Sequence, residues 1–165
     1  MGPLWAIVSL VALSSSGAVV LEPTRHIRGT GPFARWLIET TLHHSPTANR
    51  LAERIEASDV IVYVEVIPLP SRNAQTVLLT ATRYVRYLKV SIHSGHAPGE
   101  LMELFGHELQ HVVEIAESPH VRDRAGMREL YRRIGLGGRE QDQFETLLAR
   151  TMGQRVRRES RSARR

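Results

Sequence analysis

Cysteine is absent from the 165 residues. Disulfides are therefore excluded, and any bound metal must be held by histidine and carboxylate rather than by thiolate. The missing thiols say nothing of the redox compartment. Aromatic residues are scarce, at 5%, and none interleave with the arginines near the C-terminus, as a single-strand nucleic-acid surface would require for stacking. The net charge of +5 is local: residues 154–165 carry six arginines against one glutamate, so the rest of the chain sums to about zero. A nucleic-acid partner is not expected. Residues 159–165 read as a basic, solvated, disordered tail.

Lysine and arginine are also missing ahead of the apolar run Leu4 to Leu13. Small residues follow that run, and Ser16 with Ala18 gives the small-x-small pattern of a leader cleavage site. The expectation is a signal peptide at 1–18, or an anchor if the run continues to residue 21. A buried helix is the third reading. The first two imply a secreted or periplasmic protein that meets a membrane only through that uncleaved segment. Residues 19–32, with Pro23, Gly29, Gly31 and Pro32, read as linker, and 33–158 as one domain.

Within that domain, Phe33 to His43 has helical spacing. Ser45-Pro46 then opens a second helix, with serine as N-cap and proline in the first turn. Val60 to Ile67 is a short β-branched run, hence a buried strand, stopped by Pro68 and Pro70. Thr76 to Thr82 is a second strand. In the third, Arg86, Leu88, Val90 and Ile92 alternate with a wetter face of Tyr87, Lys89 and Ser91. Helices are expected near 100–117, 121–134 and 140–158. The order predicts an α+β fold: a small, mostly antiparallel sheet packed on the helix at 100–117, then a helical C-terminal part.

The strongest chemical signal is His107-Glu108-Leu109-Gln110-His111. Helical residues four apart share a face, so both imidazoles can present nitrogens to one zinc ion. The glutamate beside the first histidine can then take a proton from water held there. At about 100° per residue, Leu101, Leu104, Phe105, Leu109, Val112, Ile115 and Ala116 form one arc, and Glu108 falls inside it. Burying an unpaired carboxylate is costly, so packing alone would give this position to Leu or Ile. The competing reading is a structural glutamate bonded to an arginine, beside two surface histidines.

A zinc ion with an open position for water needs a third protein ligand. Glu145 is the first candidate. The same arithmetic puts it inside the apolar arc of Phe144, Leu147, Leu148, Ala149, Met152 and Val156. Two acids turned into one core from two helices would be expensive without a shared cation. Glu114, on the histidine edge of the motif helix, reads better as a group orienting an imidazole, or as a plain surface residue, than as a ligand. Glu117 and His120 are the remaining candidates. His26, His43 and His44 read as surface residues.

Phe105-Gly106-His107-Glu108-Leu109-Gln110-His111-Val112 resembles the active-site helix of zincin metallopeptidases, and a glutamate on a later helix resembles the gluzincin arrangement. The resemblance spans roughly residues 100–158. The metzincin pattern does not fit, because Glu114 and Glu117 replace its glycine and third histidine. The resemblance implies His107, His111 and Glu145 as ligands of one zinc ion and Glu108 as general base. It also implies a polypeptide substrate, held by strand addition, for which 84–92 is the expected strand, and attack by a zinc-bound water. An oxyanion donor is needed besides the metal; Tyr131 is the candidate, with His120, His93 and His96 behind it. Two other readings use the same residues: a catalytically idle zinc-stabilised binding module, and a protein that meets anionic partners through its arginine-rich end.

Overall fold

The computed structural model describes residues 26–136 and 144–163. The expected leader at 1–18, its variant as an anchor to 21 and the start of the last expected helix lie outside them. Strand β1 (Ile27–Gly29) leads into helices α1 (Pro32–His44) and α2 (Pro46–Glu56). Strands β2 (Val60–Ile67), β3 (Ala74–Ala81) and β4 (Arg86–His93) follow, then α3 (Pro98–Ala116), α4 (Arg124–Ile134) and α5 (Leu147–Ser162). The architecture is α+β with a helical C-terminal part. No helix among the described residues is long and apolar enough to cross a membrane.

Local chemistry places most boundaries. Ser45 accepts the Ala48 N–H through its hydroxyl and Pro46 opens α2, as the Ser-Pro pair predicts. Asp123 caps α4 in the same way, through the Gly126 N–H. At α3 the Glu100 carboxylate accepts the Ala97 N–H.

The sheet corrects one expectation. Its order is β1-β2-β4-β3. β1 and β4 both run parallel to β2, and only β3 and β4 are antiparallel, so the sheet is mixed rather than mostly antiparallel. The crossover through α1 and α2 returns the chain to the same end of the sheet, which makes β2 parallel to β1. The β3–β4 hairpin then inserts β4 between β2 and β3. Three consecutive strands look like a meander in sequence, and alternation carries no sign of such an insertion. The three-residue β1 also lies inside the segment read as linker; it is too short for its period to show.

One core unites the elements. Val60, Val62 and Val64 of β2, Leu88, Val90 and Ile92 of β4, Leu37 of α1, Ile55 of α2, and Phe105, Leu109 and Val112 of α3 are buried together. Each such side chain contributes about 1.5–3 kcal/mol relative to exposure. On the other face of the sheet, Ser91 donates to Glu65 at 2.7 Å and Lys89 pairs with Glu65 at 3.1 Å. Ser91 is buried, so that face is less wet than its residue types suggest.

The alternation of β4 puts Arg86 on the core side, and its side chain is indeed fully buried. It is also fully partnered. It bonds Asp59 through Nε and Nη2, and donates to the carbonyls of Ile115, Ser118 and Ala116 at 2.6, 2.9 and 2.9 Å. Of these, the Ile115 and Ser118 carbonyls also accept the N–H groups of Ser118 and Val121, and a cation at this end suits the helix dipole. The bonded Arg86 guanidinium holds the Asp59 carboxyl below its ordinary value, although burial opposes the shift.

Helix α5 lies close on α3 because glycines face the contact. A Cβ on Gly106 would come 2.5 Å from Val156 Cγ2; one on Gly153 would come 2.9 Å from the Glu103 carbonyl oxygen and 3.1 Å from His107 Cβ. The helix also runs further than expected, through Ser162. Residues 159–162, read as disordered tail, are helical because Glu159 accepts from Ser45 Oγ, Thr47 Oγ1 and Thr47 N at 2.6, 2.7 and 3.0 Å.

Arg86→Met should therefore destabilise the fold by about 1–3 kcal/mol in urea unfolding, since it leaves Asp59 with only its longer pair to Arg122 and takes a donor from three carbonyls. The Asp59 contribution has a definite pH dependence. A depressed folded pKa stabilises fully above the ordinary value of 3.8 and is lost as pH falls through the folded value. The stability gap between wild type and Asp59→Asn should accordingly be constant above about pH 5 and close below the ordinary carboxylate range. Gly153→Ala should cost about 1–3 kcal/mol by wedging α5 away from α3.

Candidate metal centre

The motif helix aims two nitrogens at one point. His107 Nε2 and His111 Nε2 lie 3.1 Å apart, with the rings at 76°. Glu145 Oε1 lies 3.8 Å from His107 Nε2. One ligand atom from each of His107, His111 and Glu145 falls within 4.8 Å of the other two. Tetrahedral zinc with bonds of about 2.0–2.2 Å would hold its ligand atoms about 3.4 Å apart. The two shorter separations bracket that value.

Glu145 arrives by a different route from the one its sequence position suggested. It lies outside any helix: α5 starts at Leu147, capped by the Thr146 hydroxyl, which accepts the Ala149 N–H. The apolar arc through Glu145 therefore does not exist, and Leu147 and Leu148 are 64% and 48% exposed. The cap does the positioning. Thr146 Oγ1 also donates to Glu114 Oε1 at 2.7 Å, which ties the start of α5 to α3 and leaves the adjacent Glu145 beside His107.

Glu114 has the orienting place that its helical position suggested. It is nearly buried, and His111 Nδ1 bonds its Oε2 at 2.8 Å. Nδ1 must carry the proton in that bond, so a neutral His111 keeps its lone pair on Nε2. Burial is the largest influence on His111 and lowers its pKa, but Glu114, Glu108 and Glu145 together hold it above the ordinary value. Burial, helped by the neighbouring His111, pushes His107 down to about 4, so its ring is neutral near pH 7. Two facing imidazole nitrogens, each with a lone pair, repel unless a cation or proton sits between them. Glu145 Oε1 is buried without a hydrogen-bond partner, while Oε2 faces Arg150 at 3.8 Å. An orphaned acceptor beside two aimed nitrogens fits zinc, and the donor set of two imidazoles and a carboxylate suits it.

Glu108 is 4% exposed, and its hydrogen-bond partner is Thr76, whose hydroxyl donates to Oε2 at 2.6 Å. No arginine neutralises it among the described residues. Burial pushes its pKa up, against the opposing effects of His111 and Thr76. Thr76 went unnoticed in the sequence because strand periodicity says which face a residue takes, not which helix residue it meets. Thr146 was missed as well; its signal was an N-cap residue ahead of Leu147-Leu148-Ala149.

Tyr131 stands beside the cluster, in the wall of a cavity that Glu108 also lines. Its buried hydroxyl lies 3.3 Å from His111 Nδ1 and donates to the His111 carbonyl at 3.4 Å, and its ring stacks on Phe144 at 4.5 Å. Burial, with Glu114 and Glu108 nearby, raises its pKa well above the ordinary value. Glu117, His120, His93 and His96 are engaged by groups outside the cluster. Glu117 pairs with Arg54, His120 with Arg133, His93 accepts the Leu69 N–H, and His96 contacts Asn73 and Glu100. His26 and His44 have partners too, the carbonyls of Ile55 and Thr40.

A cavity of about 370 Å³ opens beside this cluster, lined by Asn73, Gln75, Thr76, His107, Glu108 and Glu145 among others. Comparisons with family models, with characterised proteins and with solved structures gave no match to this chain.

Wild type should bind one zinc ion per chain in a chelator-competition titration. Glu145→Ala should weaken that binding, and unchanged affinity would remove Glu145 from the ligand set. Glu114→Gln should weaken it by about 10–100-fold, because the orienting partner of His111 loses its charge.

Proposed function

We propose that the chain is a zinc-dependent hydrolase, and specifically a metallopeptidase. The observation that carries this reading is the placement of a buried carboxylate, Glu108, with no arginine partner among the described residues, on the same cavity as the His107, His111 and Glu145 cluster. A binding site needs no such base. In this reading His107, His111 and Glu145 hold the metal. Zinc, when bound, supplies a Lewis acid that polarises a carbonyl and brings the pKa of water down to about 7. Glu108 accepts the proton of the attacking water through its free oxygen and returns it to the leaving amine. Thr76 holds the other oxygen in place. Tyr131 and Glu114 fix the His111 ring, and Tyr131, which also lines the cavity, is the candidate oxyanion donor.

The sheet roofs the motif helix in this reading, and the substrate strand is reassigned. β4 has neighbours on both sides, so the segment 84–92 has no edge to offer. β3 is one of the two edge strands, and its Ala74, Gln75 and Thr76 line the cavity. An extended peptide would pair there. The idle zinc module would call for a closed coordination sphere, which the adjoining cavity disfavours. The reading as an anionic-partner tail is weakened because Arg157 bonds Glu103 within the fold. Export to the periplasm or medium rests on residues 1–18 alone.

Glu108→Gln is the test. It should keep zinc and lower kcat/KM on a quenched-fluorescent peptide pool by about 10²–10⁴-fold. Undiminished turnover would overturn the proposal.

A further inference from the structure

A second cavity of about 200 Å³ adjoins the first. The two share Arg72, Gln75, Thr76, Met127 and Phe144, so they are continuous along the edge strand. Leu78, Met127 and Phe144 give the second cavity apolar surface, and its charged lining residues are Arg72, Arg124 and Arg128. No carboxylate lines it among the described residues.

Arg124 and Arg128 are one turn apart on α4 and share a face. Neither side chain has a hydrogen bond or ion pair among the described residues. The nearby acids are engaged elsewhere: Asp123 caps Gly126, and Glu129 pairs with Arg132 and Arg133. Arg124 is also the first residue of its helix, where the dipole disfavours a cation. Arg132 and Arg133, at the other end, suit the dipole. Stability of α4 would thus favour an acid at position 124. The arginine there adds to a positive field over a cavity that also has apolar walls, from Val77, Leu78, Met127 and Phe144.

We infer that this cavity is a side-chain subsite that makes the enzyme selective for peptides with an aspartate or glutamate next to the scissile bond. The apolar walls take the methylene stem, and the guanidinium groups of Arg124 and Arg128 meet the carboxylate, which arginine can bind in a two-pronged way. The inference rests on the peptidase reading, since the subsite is defined by its continuity with the Glu108 cavity. It assigns the substrate class that the metal cluster leaves open.

The experiment separates the two. Full-length, zinc-loaded Glu108→Gln protein is titrated with end-blocked, fluorescently labelled peptides that differ at one position, as Glu, Gln, Lys or phosphoserine. Binding is read by anisotropy, so hydrolysis is not needed. The Glu peptide should bind on the order of tenfold more tightly than the Gln peptide. The Arg124→Glu/Arg128→Glu double variant, on the same background, should reverse the order in favour of Lys. Both residues are exposed, so the reversal should leave zinc content unchanged and thermal unfolding no lower than before, since an acid at position 124 suits the helix dipole. Equal binding of Glu and Gln peptides, or a preference that survives the reversal, would overturn the subsite. A phosphoserine peptide that outbinds Glu by tenfold or more would overturn the carboxylate assignment. Selective binding without any cleavage by wild type would leave the subsite standing and count against the peptidase reading.

Discussion

The Glu114 carboxylate holds the candidate centre together. One oxygen takes the His111 Nδ1 proton, and the other takes the hydroxyl of Thr146, which in turn caps α5 through Ala149 N. Burial pushes the pKa of Glu114 up, but its bonds, that to His111 foremost, outweigh this and hold it below the ordinary value. A single anion thereby sets the tautomer of one imidazole and the starting point of a helix distant in sequence. Glu145 precedes that starting point by one residue, so its approach to His107 follows from the cap. The glycine contacts at 106 and 153 set how closely the same two helices lie.

Charge at the two ends of this arrangement is handled in opposite ways. At the C-terminal end of α3, Arg86 is buried with Asp59 and a set of carbonyls, and every donor has an acceptor. Such a cluster is costly to break but can do nothing else. In the middle of α3, Glu108, Glu114 and Glu145 surround two imidazoles, one of which is neutral near pH 7. Negative charge is in excess there: Glu145 and Glu114 both push the pKa of Glu108 up. A divalent cation would remove that excess, and the two imidazoles and Glu145 each offer a ligand atom within 4.8 Å of the others.

The sequence carried some of this and concealed the rest, for identifiable reasons. The inward turn of Glu108 was legible because a helix has one strong period and a buried acid violates it. The burial of Arg86 was legible from strand alternation for the same reason. The sheet order was hidden, because pairing joins residues whose separation no local pattern encodes. Glu145 was singled out by a helical arc that the chain does not form, although the residue does meet His107. Thr76 and Thr146 were invisible as site residues, since a hydroxyl is at home on a strand or at a helix cap whether or not a glutamate accepts from it.

Thr76 links the two halves of the functional reading. Its side chain restrains Glu108, while its backbone belongs to the strand with an unpaired edge. The regular register of β3 with β4 breaks between Leu78 and Thr80, and such bulges commonly end pairing at a sheet edge. The regular stretch of edge is then Ala74 to Leu78, the same stretch that lines the two cavities in turn. A peptide paired along it would be held in register by main-chain bonds. One residue of that peptide would stand over Glu108 and another beside Arg124 and Arg128. Base and selectivity are then coupled through a single strand, so a shift of β3 would disturb both, whereas a change on α4 would disturb only the second.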